Sequence, residues 1–306
     1  MFSSINGGAD QFLADLGRVQ QDLTLTERQI TSGLKVQLPS DGPSSVSDIL
    51  QLKSQIAQNT QVQTNLGTVK TQVDTAESAL ESAVSAVENA ITLGTQGGSS
   101  TITAAVRQTL AQQVAGVLAQ LLGVSRTQAA GVYVFSGDNS QSPQYQLDPS
   151  APNGVDRLFV TSATAQVQDS AGIALSISKT AQDIFDHRNP DGSLASDNVF
   201  AAVQQLQVAL QNNDQAGIDA SMTALQQAHD YIGNQLAFYG AAQNRIASAL
   251  DLAQKFQLQQ KTDLSNRQDT DVAAAALALT QEQTTEQAAL QARAKMPHTS
   301  LFDFLA

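Results

Sequence analysis

The chain has 306 residues and a formal net charge of −12, with only 14% of its residues charged. So acidic a chain is poorly suited to nucleic acid or to anionic membrane surfaces, because both carry negative charge themselves. The sequence contains no cysteine, which excludes disulfides, thiol catalysis and zinc–thiolate sites. Hydrophobic residues make up 42% of the chain and aromatic residues only 5%, which favours helices packed on one another over a large aromatic-lined pocket.

The N-terminal segment carries an apolar stripe whose members alternate at spacings of four and three residues. The stripe consists of Phe12, Leu16, Val19, Leu23, Thr26 and Ile30. This spacing predicts a helix with a coiled-coil seam that is broken once by a polar residue. The same segment has no basic region and no apolar run of about 7 to 15 residues, so we expect no cleavable signal peptide. No stretch approaches the roughly 18 to 20 apolar residues of a membrane span.

A cluster of helix breakers follows, in the stretch SGLKVQLPSDGP at residues 32–43. Its two glycines and two prolines cannot continue a helix, so the sequence predicts a turn here. Asp41 is placed to cap the next helix, and Pro43 suits the first turn of that helix.

The longest periodic stretch runs from about residue 44 to residue 93. It predicts one helix of roughly 45 residues, about 65 to 70 Å long. The stretch LGTQGGSST at residues 93–101 is predicted to be a loop from its composition. A second apolar face follows, so two helices and a loop are predicted to form an antiparallel hairpin. The members of that second face are Ile102, Val106, Leu110, Val114, Val117, Leu121 and Val124.

The character of the chain changes at residues 132–196, where β-branched and aromatic runs alternate with turn residues. This segment predicts a small β-containing insertion. Helix returns after Asn198, a good cap residue, and continues as heptad-like stripes toward the C-terminal end, interrupted by QNNDQAG. Asp269 and Asp271 are predicted to lie two residues apart on a helix, so that their side chains do not face each other.

The predicted fold is mainly α: a long antiparallel coiled-coil-like helical rod with nested N- and C-terminal helices and a small β-containing insertion in the middle of the chain. Three domains are expected. Residues 1–40 with 258–306 form a terminal helical polymerisation domain, and residues 41–131 with 198–257 form a helical bundle or rod domain. Residues 132–197 form a small outward-facing β-containing domain.

Nothing in the sequence predicts an enzyme, a cofactor site or a metal site. The three histidines, His187, His229 and His298, show no ligand spacing. His187 lies in a polar segment with Asp186 and Asp191, and a polar turn is the preferred interpretation there because the spacing of a calcium loop is absent. The glycine-rich stretch at residues 94–100 lacks the strand and the Lys-Ser/Thr pair of a phosphate loop.

Four stretches resemble one family when they are taken in order along the chain. RQITSGLKVQLPSDGPSSVSDILQLKSQI is similar to the N-terminal signature of bacterial flagellins and flagellar hook-filament junction proteins, with turn residues Ser32, Gly33, Pro39, Ser40, Asp41 and Pro43. GVYVFSGDN at residues 131–139 looks like the G-x-Y-x-F-x-G stretch of the junction proteins. IGNQLAFYGAAQNRIASAL and the final SLFDFL resemble the C-terminal helix start and the last residues of the family.

The resemblance implies a structural subunit of the bacterial flagellum, exported without a cleavable signal peptide by the flagellar type III apparatus and located outside the cell. Its implied partners are neighbouring copies of itself, the first hook-associated protein and flagellin, with a flagellar export chaperone before secretion. No nucleic acid and no membrane insertion is implied. Two alternatives stay open: a filament-forming flagellin and, more distantly, a cytoplasmic coiled-coil adaptor that binds a partner helix.

Assembly contacts are predicted at both ends of the chain. On the N-terminal stripe they are Phe12, Leu16, Val19, Leu23 and Ile30, and in the final SLFDFLA they are Leu301, Phe302, Phe304 and Leu305. Burying the four C-terminal side chains is worth at most roughly 6 to 12 kcal/mol, and ordering about six backbone residues costs a similar amount. We therefore expect this segment to become ordered only when neighbouring subunits supply the rest of its surroundings.

Overall fold

The computed structural model describes residues 3–295, and the side chains of residues 10–295. The described residues are mainly helical, which confirms the predicted fold class. The helices are α1 (Ser3–Ser32), α2 (Pro43–Gly97), α3 (Ala104–Ser125), α4 (Ala181–Phe185), α5 (Val199–Gln211), α6 (Gln215–Gln268) and α7 (Val272–Ala294). Pro43 is the first residue of α2, and the side chain of Asn198 accepts a hydrogen bond from Ala201 N at the start of α5, as the sequence predicted for both.

The strands form three short antiparallel pairs between α3 and α4, within and just before the predicted insertion. The pairs are β1 (Gln128–Ala129) with β2 (Val132–Tyr133), β3 (Tyr145–Leu147) with β4 (Val155–Arg157), and β5 (Gln166–Gln168) with β6 (Ala174–Ser176). Each strand has only two or three residues, so the pairs depend on packing against helices for their stability.

The chain divides into two compact units, one of residues 1–58 with 257–306 and one of residues 59–256. The three-domain division made from the sequence stays a prediction. Most of the buried apolar residues lie in the unit of residues 59–256. Its aromatic centre joins the strand region to the helices, because the Phe185 ring lies 5.9 Å from the Phe135 ring and 5.6 Å from the Phe200 ring.

Helix α2 ends later than the sequence predicted, because Gly94 and Gly97 lie inside it and only the residues that follow form the loop. A Cβ at Gly94 would overlap Met222, and a Cβ at Gly97 would overlap Leu210. These two glycines therefore let α2 approach neighbouring helices closely. The glycines of this stretch thus indicate close helix packing rather than a turn.

The predicted apolar face of α3 is wrong at its first turn. Val106 is 43% exposed, whereas Arg107 is only 6% exposed. The guanidinium group of Arg107 donates to Gly97 O at 2.8 Å, to Asn213 Oδ1 at 2.7 Å and to Gln215 Oε1 at 2.6 Å. The arginine thus ties the end of α2 to the connection between α5 and α6, and its hydrogen bonds offset the cost of burying its charge.

The interpretation of Asp269 and Asp271 as helical residues is also wrong, because both lie in the break between α6 and α7. Asp271 caps α7: its Oδ1 accepts from Ala273 N at 3.0 Å and from Ala274 N at 3.1 Å. A helix start exposes unpaired backbone N–H groups, and a carboxylate at the cap position satisfies them.

Candidate assembly surface

The stripe predicted along α1 faces α7 within the same chain. Its apolar members are all partly buried, namely Phe12, Leu16, Val19, Leu23 and Ile30. Its polar member, Thr26, is more enclosed than these, with 6% of its surface exposed. The sequence therefore located the seam correctly, and α7 covers one side of it. Contacts of these residues with other subunits stay a prediction.

Side-chain contacts between the described residues join α1 to α7. The Arg293 guanidinium lies 5.7 Å from the centre of the Phe12 ring. Gln20 Nε2 donates to Glu286 Oε1 at 3.2 Å. The Thr26 hydroxyl lies 3.2 Å from Glu282 Oε1 and 3.0 Å from its own helix, at Asp22 O. Since residue numbers rise along α1 as they fall along α7, the two helices run antiparallel.

The side of α7 that meets α1 is not an apolar stripe. Its buried or partly buried positions are Ala275, Ala278, Leu279, Glu282, Glu286, Ala289 and Arg293. Three of these side chains carry formal charges and three are alanines, so little apolar surface is buried against α1. A heptad count backward from Arg293 would have found the charged positions in the sequence. The alanine content of the helix alone does not indicate these charged positions.

Large apolar side chains of the same unit face solvent. They are Leu13, Leu50, Leu258, Val272, Leu277 and Leu290, each between 49% and 71% exposed. Single exposed leucines are ordinary on a protein surface. Here they accompany a pair of helices whose seam buries few large apolar side chains from α7, so the described part of this unit keeps much of its apolar surface uncovered.

The turn between α1 and α2 contains the predicted motif residues. Ser32 is the last residue of α1, and its hydroxyl accepts a hydrogen bond from Leu34 N at 3.2 Å. Gly33 has φ of +71°, a left-handed conformation that favours glycine at a helix end. Pro39–Asp41 form a single 3₁₀ turn, which contains Ser40, just before Pro43 opens α2.

Asp41 does not cap α2 as the sequence predicted. Its Oδ2 instead turns back into the loop, where it accepts from Leu38 N at 2.8 Å and from Gln37 N at 3.2 Å. The Leu38 hydrogen bond is the main reason that the pKa of the Asp41 carboxyl lies below its ordinary value, and Arg28, 3.6 Å away, acts in the same direction. The ionised carboxylate thus stabilises the turn through hydrogen bonds to the turn's own backbone.

The same turn binds the break between α6 and α7 through its backbone. Gly33 O accepts from Thr270 N at 2.9 Å, and Lys35 N donates to Gln268 O at 2.7 Å. The two breaks therefore satisfy each other's backbone groups. The predicted contacts at Leu301, Phe302, Phe304 and Leu305 lie outside the described residues, as does His298.

A buried polar network in the unit of residues 59–256 was missed from the sequence. The fully buried Asp186 carboxylate accepts at Oδ2 from Tyr145 Oη (2.9 Å) and Arg188 Nε (2.9 Å), and at Oδ1 from Asn153 Nδ2 (2.9 Å) and Asn198 Nδ2 (2.8 Å). Burial and this carboxylate raise the pKa of Tyr145 far above its usual range. With four donors on two oxygens, the group is structural.

The neighbouring His187 pairs with Asp197, at 2.6 Å between Nδ1 and Oδ1, and its ring stacks on Tyr231 with 4.7 Å between centres. His229 lies elsewhere, 3.5 Å from Glu88. Among residues 3–295 no group of three or more His, Cys, Asp or Glu side chains is arranged to hold a metal ion. Nor does any helix in that part of the chain have the length and apolar character needed to cross a membrane.

The fold and the seam together define a mainly helical protein whose first and last described helices pair with each other. Residues 4–140 match the family described as bacterial flagellin N-terminal helical region. The chain is 26% identical over 293 residues to flagellar hook-associated protein 3 of Escherichia coli K12, covering 90% of each chain.

Solved structures share the fold. A putative flagellar hook-associated protein from Vibrio parahaemolyticus has a TM-score of 0.65 at 18% identity, over 75% of this chain and 100% of that one. Flagellar hook-associated protein 3 from Legionella pneumophila has a TM-score of 0.59 at 14% identity, over 71% of this chain and 98% of that one. These structures show the shared fold, and the two sequence matches confirm the resemblance to bacterial flagellins and to hook-associated protein 3.

Proposed function

We propose that this chain is a structural subunit of the bacterial flagellum that joins the hook, through the first hook-associated protein, to the filament. The observation that carries the proposal is the similarity to hook-associated protein 3, which extends over 90% of both chains rather than over one shared region. The subunit leaves the cell by type III export, guarded beforehand by an export chaperone, and acts outside the cell without catalysing a reaction.

The α1–α7 pair supplies the assembly mechanism. Its seam sets an apolar stripe against alanines and charged side chains, so the pair gains little from burial in a free subunit and is only marginally stable. Neighbouring copies then bind the remaining apolar surface, and binding orders the pair, as in other cases of coupled folding. Contacts from the final SLFDFLA, including Leu301, Phe302, Phe304 and Leu305, complete this surface.

A filament-forming flagellin is the second candidate, because the matched family region is that of flagellin N-terminal helices. Immunogold labelling of flagella with antibodies against this chain separates the two. One band at the hook end supports the junction role, and labelling along the whole length would replace it with the filament role. A protein that stays inside the cell and never reaches sheared flagella would contradict both and favour the adaptor.

A substitution in the seam tests the mechanism. Leu23→Asp places a charge in the partly buried stripe, whereas Gln21→Asp places the same charge on an exposed position of the same turn. We expect Leu23→Asp to be exported and soluble but absent from flagella, and Gln21→Asp to be incorporated. Normal motility of a strain carrying only Leu23→Asp would contradict the mechanism.

A further inference from the structure

Two asparagines of this chain directly precede a glycine, Asn6 and Asn153. Asparagine is chemically labile, and most so in this pair, because glycine has no side chain to shield its backbone nitrogen. That nitrogen attacks the asparagine Cγ, so that a new N–Cγ bond forms and the Cγ–Nδ2 bond breaks. The amide nitrogen leaves as ammonia, taking the proton of the attacking N–H group. Water then opens the resulting ring, which leaves an aspartate or an isoaspartate.

The fold holds both reacting groups of the pair at Asn153 and Gly154. Asn153 is only 3% exposed, and its Nδ2 donates to the Asp186 carboxylate at 2.9 Å. The Gly154 N–H group is also engaged, because it donates to Ala151 O at 2.9 Å. For the nitrogen to attack, it must give up this hydrogen bond while the amide leaves Asp186. The reaction therefore requires the loop to open first.

Each member of the labile pair is required by a separate contact. Gly154 has φ of +73°, and a Cβ at this position would overlap both Leu118 and Gln204. Asn153 supplies a donor to a carboxylate that is fully buried, whereas an aspartate in its place would offer only acceptors. The folded structure thus depends on a pair of residues that is chemically unstable in an open chain.

Deamidation would place a second carboxylate against that of Asp186. Two ionised carboxylates that share one buried site repel each other, and Asp186 Oδ1 would lose one of its two amide donors while it keeps Asn198 Nδ2. The isoaspartate product fits no better, because it lengthens the main chain by one carbon inside a tight turn. In that turn Gly154 O accepts from Asp148 N, and Gly154 N donates to Ala151 O.

We infer that Asn153 is a spontaneous deamidation site that folding protects, and that its product prevents the chain from rebuilding the Asp186 network. Chains that fold promptly keep the amide, whereas chains that stay unfolded lose it and afterwards fold less stably. The inference concerns the unit of residues 59–256 and does not depend on the proposed function.

Mass spectrometry of proteolytic fragments tests the protection. The full chain is incubated folded in buffer and unfolded in guanidinium, at the same pH and temperature, and the conversion of amide to carboxyl is followed with time. In the unfolded chain we expect Asn153 to react about as fast as Asn6, which serves as an internal standard. In the folded chain the reaction at Asn153 should be slower by roughly a hundredfold or more, because the loop must open first. Equal rates at Asn153 in the folded and unfolded chains would overturn the inference.

Substitutions test the effect of the product. Asn153→Asp reproduces it, Asn153→Ala removes the amide without adding a charge, and Asn139→Asp adds the same charge at an exposed position of the same unit. In chemical unfolding we expect the unfolding equilibrium constant of Asn153→Asp to exceed that of Asn153→Ala at least roughly tenfold, because the two carboxylates repel. Failure of only Asn153→Asp to fold would support the inference equally. Asn139→Asp should have little effect.

A double variant separates charge repulsion from a simple loss of packing. Adding Asp186→Asn to Asn153→Asp turns an amide nitrogen toward position 153 and an oxygen toward Tyr145 and Arg188, so that one carboxylate again faces one amide. The double variant should therefore be more stable than Asn153→Asp alone. A double variant that is no more stable would overturn the inference, and so would an Asn153→Asp chain as stable as Asn153→Ala.

Discussion

Removal of the Asp186 carboxylate is the most informative change in the unit of residues 59–256. Asp186→Ala deletes a fully buried charge that accepts four hydrogen bonds. It leaves Arg188 Nε and two neutral donors without their acceptor, while Asn198 Nδ2 keeps its second acceptor, His187 O. Breaking a buried ion pair by removing one partner costs about 3 to 5 kcal/mol. Because the Arg188 side chain is 26% exposed and can reach water, we expect a loss near the lower end, about 3 kcal/mol.

Asp186→Asn removes the negative charge but keeps most of the hydrogen bonds, so it distinguishes the two contributions to stability. Its retained oxygen can still accept from Asn153 and Asn198, and the Tyr145 hydroxyl can rotate to accept from the new amide nitrogen. Arg188 Nε cannot accept, so that contact is lost. The expected cost is about 1.5 to 3 kcal/mol, the value of one hydrogen bond to a charged group.

Hydrogen exchange of the backbone N–H groups in α5 measures these costs, because α5 begins at the network through Asn198 and lies within one unit of the chain. The control is Asp191→Ala, which removes an exposed carboxylate that bonds to Ser193 in the same loop and should leave exchange in α5 nearly unchanged. The reasoning is refuted if Asp186→Ala accelerates exchange no more than Asp191→Ala does.

Three further changes test other parts of the same unit. Gly154→Ala should cost about 1 to 3 kcal/mol more than Gly172→Ala in chemical unfolding: both glycines have positive φ, but only the Gly154 Cβ would meet Leu118. Arg107→Lys should lower the free energy of unfolding by about 1 to 3 kcal/mol, since an ammonium group cannot span the three acceptors of the guanidinium group. A lower thermal midpoint would report this loss. Burial raises the pKa of Tyr231 to about 12 and raises those of two other tyrosines further. The contribution of these tyrosines to stability should thus be constant below pH 10 and fall as pH rises toward 12, with tyrosinate absorbance appearing at higher pH in folded than in guanidinium-unfolded protein.

The large features of the fold followed from periodicity, because long helices repeat the same signal many times. The α1 stripe, the start of α2 at Pro43 and the Asn198 cap are all local patterns that neighbouring residues determine. The strand pairs were recognisable as a region from their turn residues, although their bounds depend on which helices support them.

Predictions from the sequence were wrong where contacts with residues far along the chain determine the local structure. Gly94 and Gly97 look like a loop until Met222 and Leu210 are placed beside them. Arg107 looks like a surface residue until three helix ends meet around it. Asp186 has little local signal, because three of its four hydrogen-bond donors, at positions 145, 153 and 198, lie at least 12 positions away along the chain. Sequence spacing cannot reveal such partners.

The pairing of α1 with α7 has a consequence for the order of folding. Thr26 and Glu282 are separated by 256 positions along the chain, so their contact closes a loop that contains nearly everything else. Contacts of such long range carry a large entropy cost until the intervening chain is already compact. As a chain is synthesised from its N-terminal end, α1 is made before α7 and must wait for it. Although α1 precedes the other described helices in the chain, it is therefore among the last of them to find its partner.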